Sequence, residues 1–128
     1  MFQMNSTPSF RLSNTVLEAP DANALADFYR RLLGWTIKYE EPGWVILANP
    51  QGGPGLSFNT SEEYERPEWP PRTGEQQMML HLDFWVDDLD AASRHALSEG
   101  AAVSGYQPQE TVRVHLDPAG HPFCLFVD

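Results

Sequence analysis

His81-Leu82-Asp83-Phe84-Trp85-Val86 runs directly into Asp87-Asp88-Leu89-Asp90-Ala91-Ala92. The first six residues alternate with the period of a strand that has two different faces. Leu82, Phe84 and Val86 form an apolar face suited to packing under a helix, while His81, Asp83 and Trp85 point the other way. Asp87 or Asp88 then caps a helix whose first turn carries Asp90, where the helix dipole favours anions. Gly100 supplies a left-handed stop. An imidazole, a carboxylate and an indole on one strand face suit the wall of a polar and aromatic pocket.

Working backwards, Phe10 to Leu17 reads as a strand, with Asn14, Val16 and Glu18 on one side and Thr15 and Leu17 on the other. Ala19-Pro20-Asp21 ends it and caps a helix over 22–33, whose apolar positions Leu25, Phe28, Tyr29, Leu32 and Leu33 share one face before Gly34. Strands follow at Trp35–Tyr39, Trp44–Ala48 and Leu56–Asn59, separated by turns rich in glycine and proline. Residues 1–9 read as a loose start. Residues 61–77 hold Pro67, Pro70 and Pro71 among glutamates and read as a solvated linker. Its Tyr64 and Trp69 are rings that a spacer does not need, and they suit packing over a neighbouring opening. After the helix to Gly100, a strand is expected near 102–105 and a hairpin over 111–127, turned at Asp117-Pro118-Ala119-Gly120.

The two halves repeat. Asp21 and Asp88 begin the two helices 67 residues apart, and Gly53 and Gly120 sit in the two last turns at the same offset. Leu56 and Phe58 fall on Phe123 and Leu125. Each half reads strand–helix–strand–strand–strand, so a sheet in each half has a helix on only one face. The expected fold is α+β: two tandem βαβββ modules forming a curved eight-stranded cup with helices on the outside. Module one covers about 10–60 and module two about 78–128, in one domain.

The chain has eighteen acidic residues against eight basic ones, a net charge of −10. That balance argues against nucleic acid or an anionic membrane as partner. No apolar run nears the ~18–20 residues that cross a bilayer. The N-terminus carries no signal-peptide pattern. A single cysteine excludes an internal disulfide and fits a reducing cytoplasm. No P-loop, dinucleotide glycine fingerprint, nucleophile elbow or HExxH is present.

The two-module layout and the ending Asp117-Pro118-Ala119-Gly120-His121-Pro122-Phe123-Cys124-Leu125 resemble the vicinal-oxygen-chelate superfamily. That group includes glyoxalase I, extradiol dioxygenases, fosfomycin-resistance enzymes and bleomycin-binding proteins. Leu25-Ala26-Asp27-Phe28-Tyr29, Leu33-Gly34-Trp35, Trp69-Pro70 and His81-Leu82-Asp83-Phe84 are most similar to its small glyoxalase-like branch. The resemblance implies a central cup, a homodimer, and metal-ligand slots at Asn14, Ser57, His81 and Cys124. Only His81 is a good ligand among them, so no metal and no other cofactor is expected at these slots.

A rearranged set remains open. A four-residue loop at 117–120 would put Arg113 opposite Cys124, and His115 and Arg113 would join Cys124 on the cup face. A slip of one residue sends both to the outer face. The bland readings are a hydrogen-bonded His81–Asp83 pair, an Asp83–Arg113 ion pair, a hairpin-shaping His121 and a small buried hydrophobe at Cys124.

The expected function is binding of a small, partly apolar or aromatic molecule in the cup. Trp85 and Phe126 supply surface there. His81 and Asp83 supply acid–base or orienting groups, with Glu18, Arg113, Asn14, Ser57 and Cys124 around them. The alternative is a metal-dependent lyase, isomerase or dioxygenase of the same superfamily with a rearranged metal site.

Overall fold

The computed structural model describes residues 7–128; of the loose start expected over 1–9, residues 1–6 lie outside the described residues. Module one is β1 (Asn14–Ala19), α1 (Ala22–Leu33), β2 (Thr36–Glu41), β3 (Trp44–Ala48) and β4 (Gly55–Thr60). Module two is β5 (Leu82–Trp85), α2 (Leu89–Glu99), β6 (Ala102–Val103), β7 (Val112–Leu116) and β8 (Pro122–Phe126). Neither helix is long and apolar enough to cross a membrane. The strands form two four-stranded sheets, in the orders β1-β4-β3-β2 and β5-β8-β7-β6. In each sheet the first and last strands of the module are parallel neighbours, and the remaining pairs are antiparallel. The fold is α+β, built of tandem βαβββ modules with open sheets.

Local chemistry accounts for both helices. Asp21 and Asp88 sit in extended backbone before them, and their carboxylates accept from Ala24 N at 3.2 Å and Ala91 N at 3.0 Å. Each satisfies a backbone donor that the first turn leaves orphaned. Gly34 and Gly100 end the helices at φ 72° and 119°, a conformation that costs a residue with a Cβ. The buried face of α1 is Ala22, Leu25, Ala26, Phe28 and Tyr29.

β1 begins later than the alternation of Phe10–Leu17 predicts. Its sole partner is β4, in a register running from Asn14 opposite Gly55 to Ala19 opposite Thr60. Upstream of Asn14 no strand is there to pair with, and Phe10 and Leu12 are exposed. Gly55 is a strand residue rather than the end of a turn. A Cβ there would lie 2.3 Å from the Leu47 carbonyl oxygen, so only glycine lets β3 and β4 close at this point.

Both sheets bury their apolar faces in one core. Leu17 and Phe58 from the first sheet, and Phe123 and Leu125 from the second, join Phe28 and Tyr29 of α1. The Tyr29 ring stacks on Phe58 at 5.7 Å and meets Phe123 edge-on at 6.1 Å. The helices therefore lie between the apolar faces of the two sheets. The alternate residues, Val16 and Glu18 on β1 and Asp83 and Trp85 on β5, are exposed on the opposite faces. Among the described residues, no strand of one sheet packs beside a strand of the other. The two open faces thus point away from a shared helical layer, and β1 and β5 each keep one edge unpaired.

Candidate functional site

β5 and β8 bring the second module's polar and aromatic residues onto one open face. Asp83 lies opposite Cys124 and Trp85 opposite Phe126 in the parallel ladder. His81 Nδ1 is 3.1 Å from Asp83 Oδ1. Donor atoms of His81, Asp83 and Cys124 all lie within 4.8 Å of one another. Burial, followed by the neighbouring Asp83 charge, pushes the Cys124 thiol up to about 11. Without a cation beside it, Cys124 is a thiol and not a nucleophile. Trp85 is 74% exposed, with its ring 5.3 Å from Phe126. A large indole left in solvent against another ring is a ready surface for a flat ligand.

Next to this face is a recess of about 100 Å³, lined by His81 and Cys124 together with Trp69, Met78, Val112, Val114 and Pro122. Trp69 comes from the linker, reaches Tyr106 ring to ring at 6.2 Å, and forms a cover beside His81. Its indole N–H is buried and has no acceptor among the described residues. Reading the sequence missed this recess, although Trp69 had already stood out as a ring out of place in a linker. Tyr64, the other such ring, donates to the Ala119 carbonyl at 2.7 Å and pins the linker to the β7–β8 turn.

The remaining expected residues go elsewhere. Asn14, Glu18 and Ser57 lie on the open face of the first sheet, where Asn59 donates to Glu18 Oε1 at 3.1 Å. Ser57 is fully buried and its hydroxyl lacks a partner among the described residues. Within one chain these residues do not meet His81.

Arg113 and His115 also leave the cup face, because the hairpin takes the slipped register. Val114, not Arg113, lies opposite Cys124, and Arg113 lies opposite Leu125. The cause is Asp117. Its carboxylate accepts from Ala119 N and His121 N, which makes the loop five residues long and sets Leu116 opposite Pro122. Arg113 pairs with Asp90 at 3.0 Å instead of reaching Asp83.

His115 is buried, stacked on Phe123 at 5.3 Å, with Nε2 2.8 Å from Ser93 Oγ and Nδ1 3.1 Å from the Arg113 carbonyl. A carbonyl only accepts, so Nδ1 carries the proton and Nε2 accepts from Ser93. Burial holds this imidazole below its ordinary 6.5. The unfolded chain therefore takes up a proton that the folded chain resists. The stabilisation is complete above the unfolded value and is lost as pH falls through 6.5. Urea midpoints from pH 8 to 5 should fall more steeply for the natural chain than for His115→Gln. Parallel curves would remove His115 from the acid response.

The four slots implied by the resemblance do not fit a metal in this chain. Asn14 offers a neutral amide and Ser57 a buried hydroxyl on one sheet, while His81 and a protonated Cys124 lie on the other. Among the described residues, His81, Asp83 and Cys124 are the one group of three or more His, Cys, Asp or Glu donors so gathered.

The sequence profile described as Glyoxalase-like domain matches residues 14–126. Among curated proteins, none matches the chain significantly. The chain is similar in structure to a glyoxalase/bleomycin resistance protein/dioxygenase family enzyme from Burkholderia phytofirmans PsJN. That likeness has a TM-score of 0.71 at 22% identity and covers 92% of this chain and 98% of the other. Lactoylglutathione lyase from Agrobacterium tumefaciens gives a TM-score of 0.63 at 22% identity, covering 94% and 96%. Fosfomycin resistance protein FosX from Mesorhizobium loti gives 0.67 at 15% identity, covering 91% of each chain. Identities this low speak for fold and not for reaction. A profile match over nearly the whole chain, on a fold with the same two-module layout, leads to one conclusion: the chain belongs to the glyoxalase-like domain family.

Proposed function

We propose that this chain binds a small, partly apolar or aromatic molecule, as a single-domain homodimer in the cytoplasm. In this reading the open face of the first sheet in one copy covers the open face of the second sheet in its partner. The observation that carries it is the outward orientation of both faces. Asn14, Glu18 and Ser57 share a face, and His81, Asp83, Trp85 and Phe126 share another, but one chain cannot bring the two together. A second copy can, and it would also cover the free edges of β1 and β5.

In that cup Trp85 and Phe126 stack against the ligand, and Trp69 N–H offers it a hydrogen bond. The His81–Asp83 pair orients a polar group or exchanges a proton with it. The net charge of −10 speaks against nucleic acid and anionic membrane as partners. The second reading, a metal-dependent lyase, isomerase or dioxygenase, is favoured by one observation, the convergence of His81, Asp83 and Cys124.

The test combines sedimentation of untagged protein with a tryptophan-fluorescence screen of small aromatic acids, alcohols and amines. A dimer whose emission is quenched by a subset of these compounds is expected. Trp85→Ala should abolish the quenching with the melting temperature nearly unchanged, because the side chain is exposed. A monomer at micromolar concentration with no responsive compound would sink the reading.

A further inference from the structure

We propose that His81, Asp83 and Cys124 form a site for a thiophilic divalent cation, zinc above all, carried by the second sheet alone. The three donors come from adjacent parallel strands. Asp83 and Cys124 face each other across the β5–β8 ladder, and His81 lies two residues before Asp83 on the same side. Ligand atoms bound tetrahedrally to zinc at about 2.0–2.3 Å lie about 3.4–3.7 Å apart. The His81–Asp83 separation of 3.1 Å is close to this. Donors within 4.8 Å need to close by about 1 Å at most, which side-chain rotation supplies.

The donor chemistry selects the ion. One imidazole, one carboxylate and one thiolate are a borderline-soft set that suits zinc and not magnesium or calcium, which take oxygen. A carboxylate and a thiolate together balance a divalent charge. Asp83 has no other strong cation, since Arg113 is engaged by Asp90. The recess beside His81 and Cys124, walled by Trp69, Met78, Val112, Val114 and Pro122, leaves room at a fourth position for water or a ligand. Three protein ligands with one open position is the arrangement of catalytic zinc.

This set departs from the slots that the resemblance implies. Asp83 replaces donors from the first module, so metal binding needs neither the partner copy nor the aromatic ligand. A failed ligand screen therefore bears on the function proposed above and not on this site.

The experiment is a cobalt(II) titration of untagged apoprotein prepared with a chelator and kept reduced. Stoichiometric binding should produce a thiolate-to-cobalt charge-transfer band with tetrahedral visible bands, and zinc should displace the cobalt. Cys124 is the only cysteine, so the charge-transfer band has no other source. Cys124→Ser should delete that band. Asp83→Asn, at an exposed position, should keep the fold and weaken zinc binding roughly tenfold or more, as should His81→Gln. Absence of the band, or a band that survives Cys124→Ser, overturns the proposal. An equal loss of affinity in Asn14→Ala would assign the metal to a site spanning both modules and overturn it too.

Discussion

Asp117→Ala is expected to destabilise the chain by about 3–5 kcal/mol, a large share of the ~5–15 kcal/mol typical of a domain. The carboxylate is 1% exposed and accepts from Ala119 N at 2.9 Å, His121 N at 3.0 Å, His121 Nδ1 at 2.9 Å and Tyr29 OH at 2.8 Å. Burial, reinforced by this carboxylate, holds the Tyr29 phenol well above its ordinary range, so it is a donor at any physiological pH. Alanine would strand these buried donors without acceptors. The damage would cross the molecule, since Asp117 joins the β7–β8 turn to α1, and the turn in turn holds Tyr64 of the linker. Asp117→Asn keeps one acceptor oxygen and should recover part of the loss. Urea denaturation measures both. A loss below about 1 kcal/mol for the alanine variant would show that the network is dispensable.

Phe123→Ala should lower stability by about 3–5 kcal/mol through lost burial and an unfilled cavity. Phe123 is fully buried, with ring centroids 6.2 Å from Phe28, 6.1 Å from Tyr29, 6.3 Å from Phe84 and 5.3 Å from His115. Those neighbours come from both modules. A single calorimetric transition, moved to lower temperature, is therefore expected. Two separated transitions would show that the modules unfold independently and that this shared core does not couple them.

These two positions mark where reading the sequence stops. The motif from Asp117 to Leu125 carries the resemblance to the family, yet the loop length hidden in it decides the site. A carboxylate that caps five residues instead of four moves each β7 side chain to the other face of the sheet. It exchanges Arg113 for Val114 opposite Cys124 and sends His115 into the core. The donor set at the open face shrinks to His81, Asp83 and Cys124, and the recess beside it becomes mostly apolar.

By itself the sequence determined what is local. Aspartate caps, glycine stops and the spacing of apolar residues placed α1 and α2 within a residue or two. The alternation at 81–86 assigned the two faces of β5, because these signals act over one or two turns of chain. Tertiary structure alone decided the rest. Tyr29, 88 residues away, donates to the carboxylate that sets the hairpin register. Trp69 covers a recess formed by strands that follow it in the chain. Both sheets turn their apolar faces to one helical layer, which points their open faces apart. Periodicity says which side chains share a face; what that face meets is chosen by packing between segments distant in sequence.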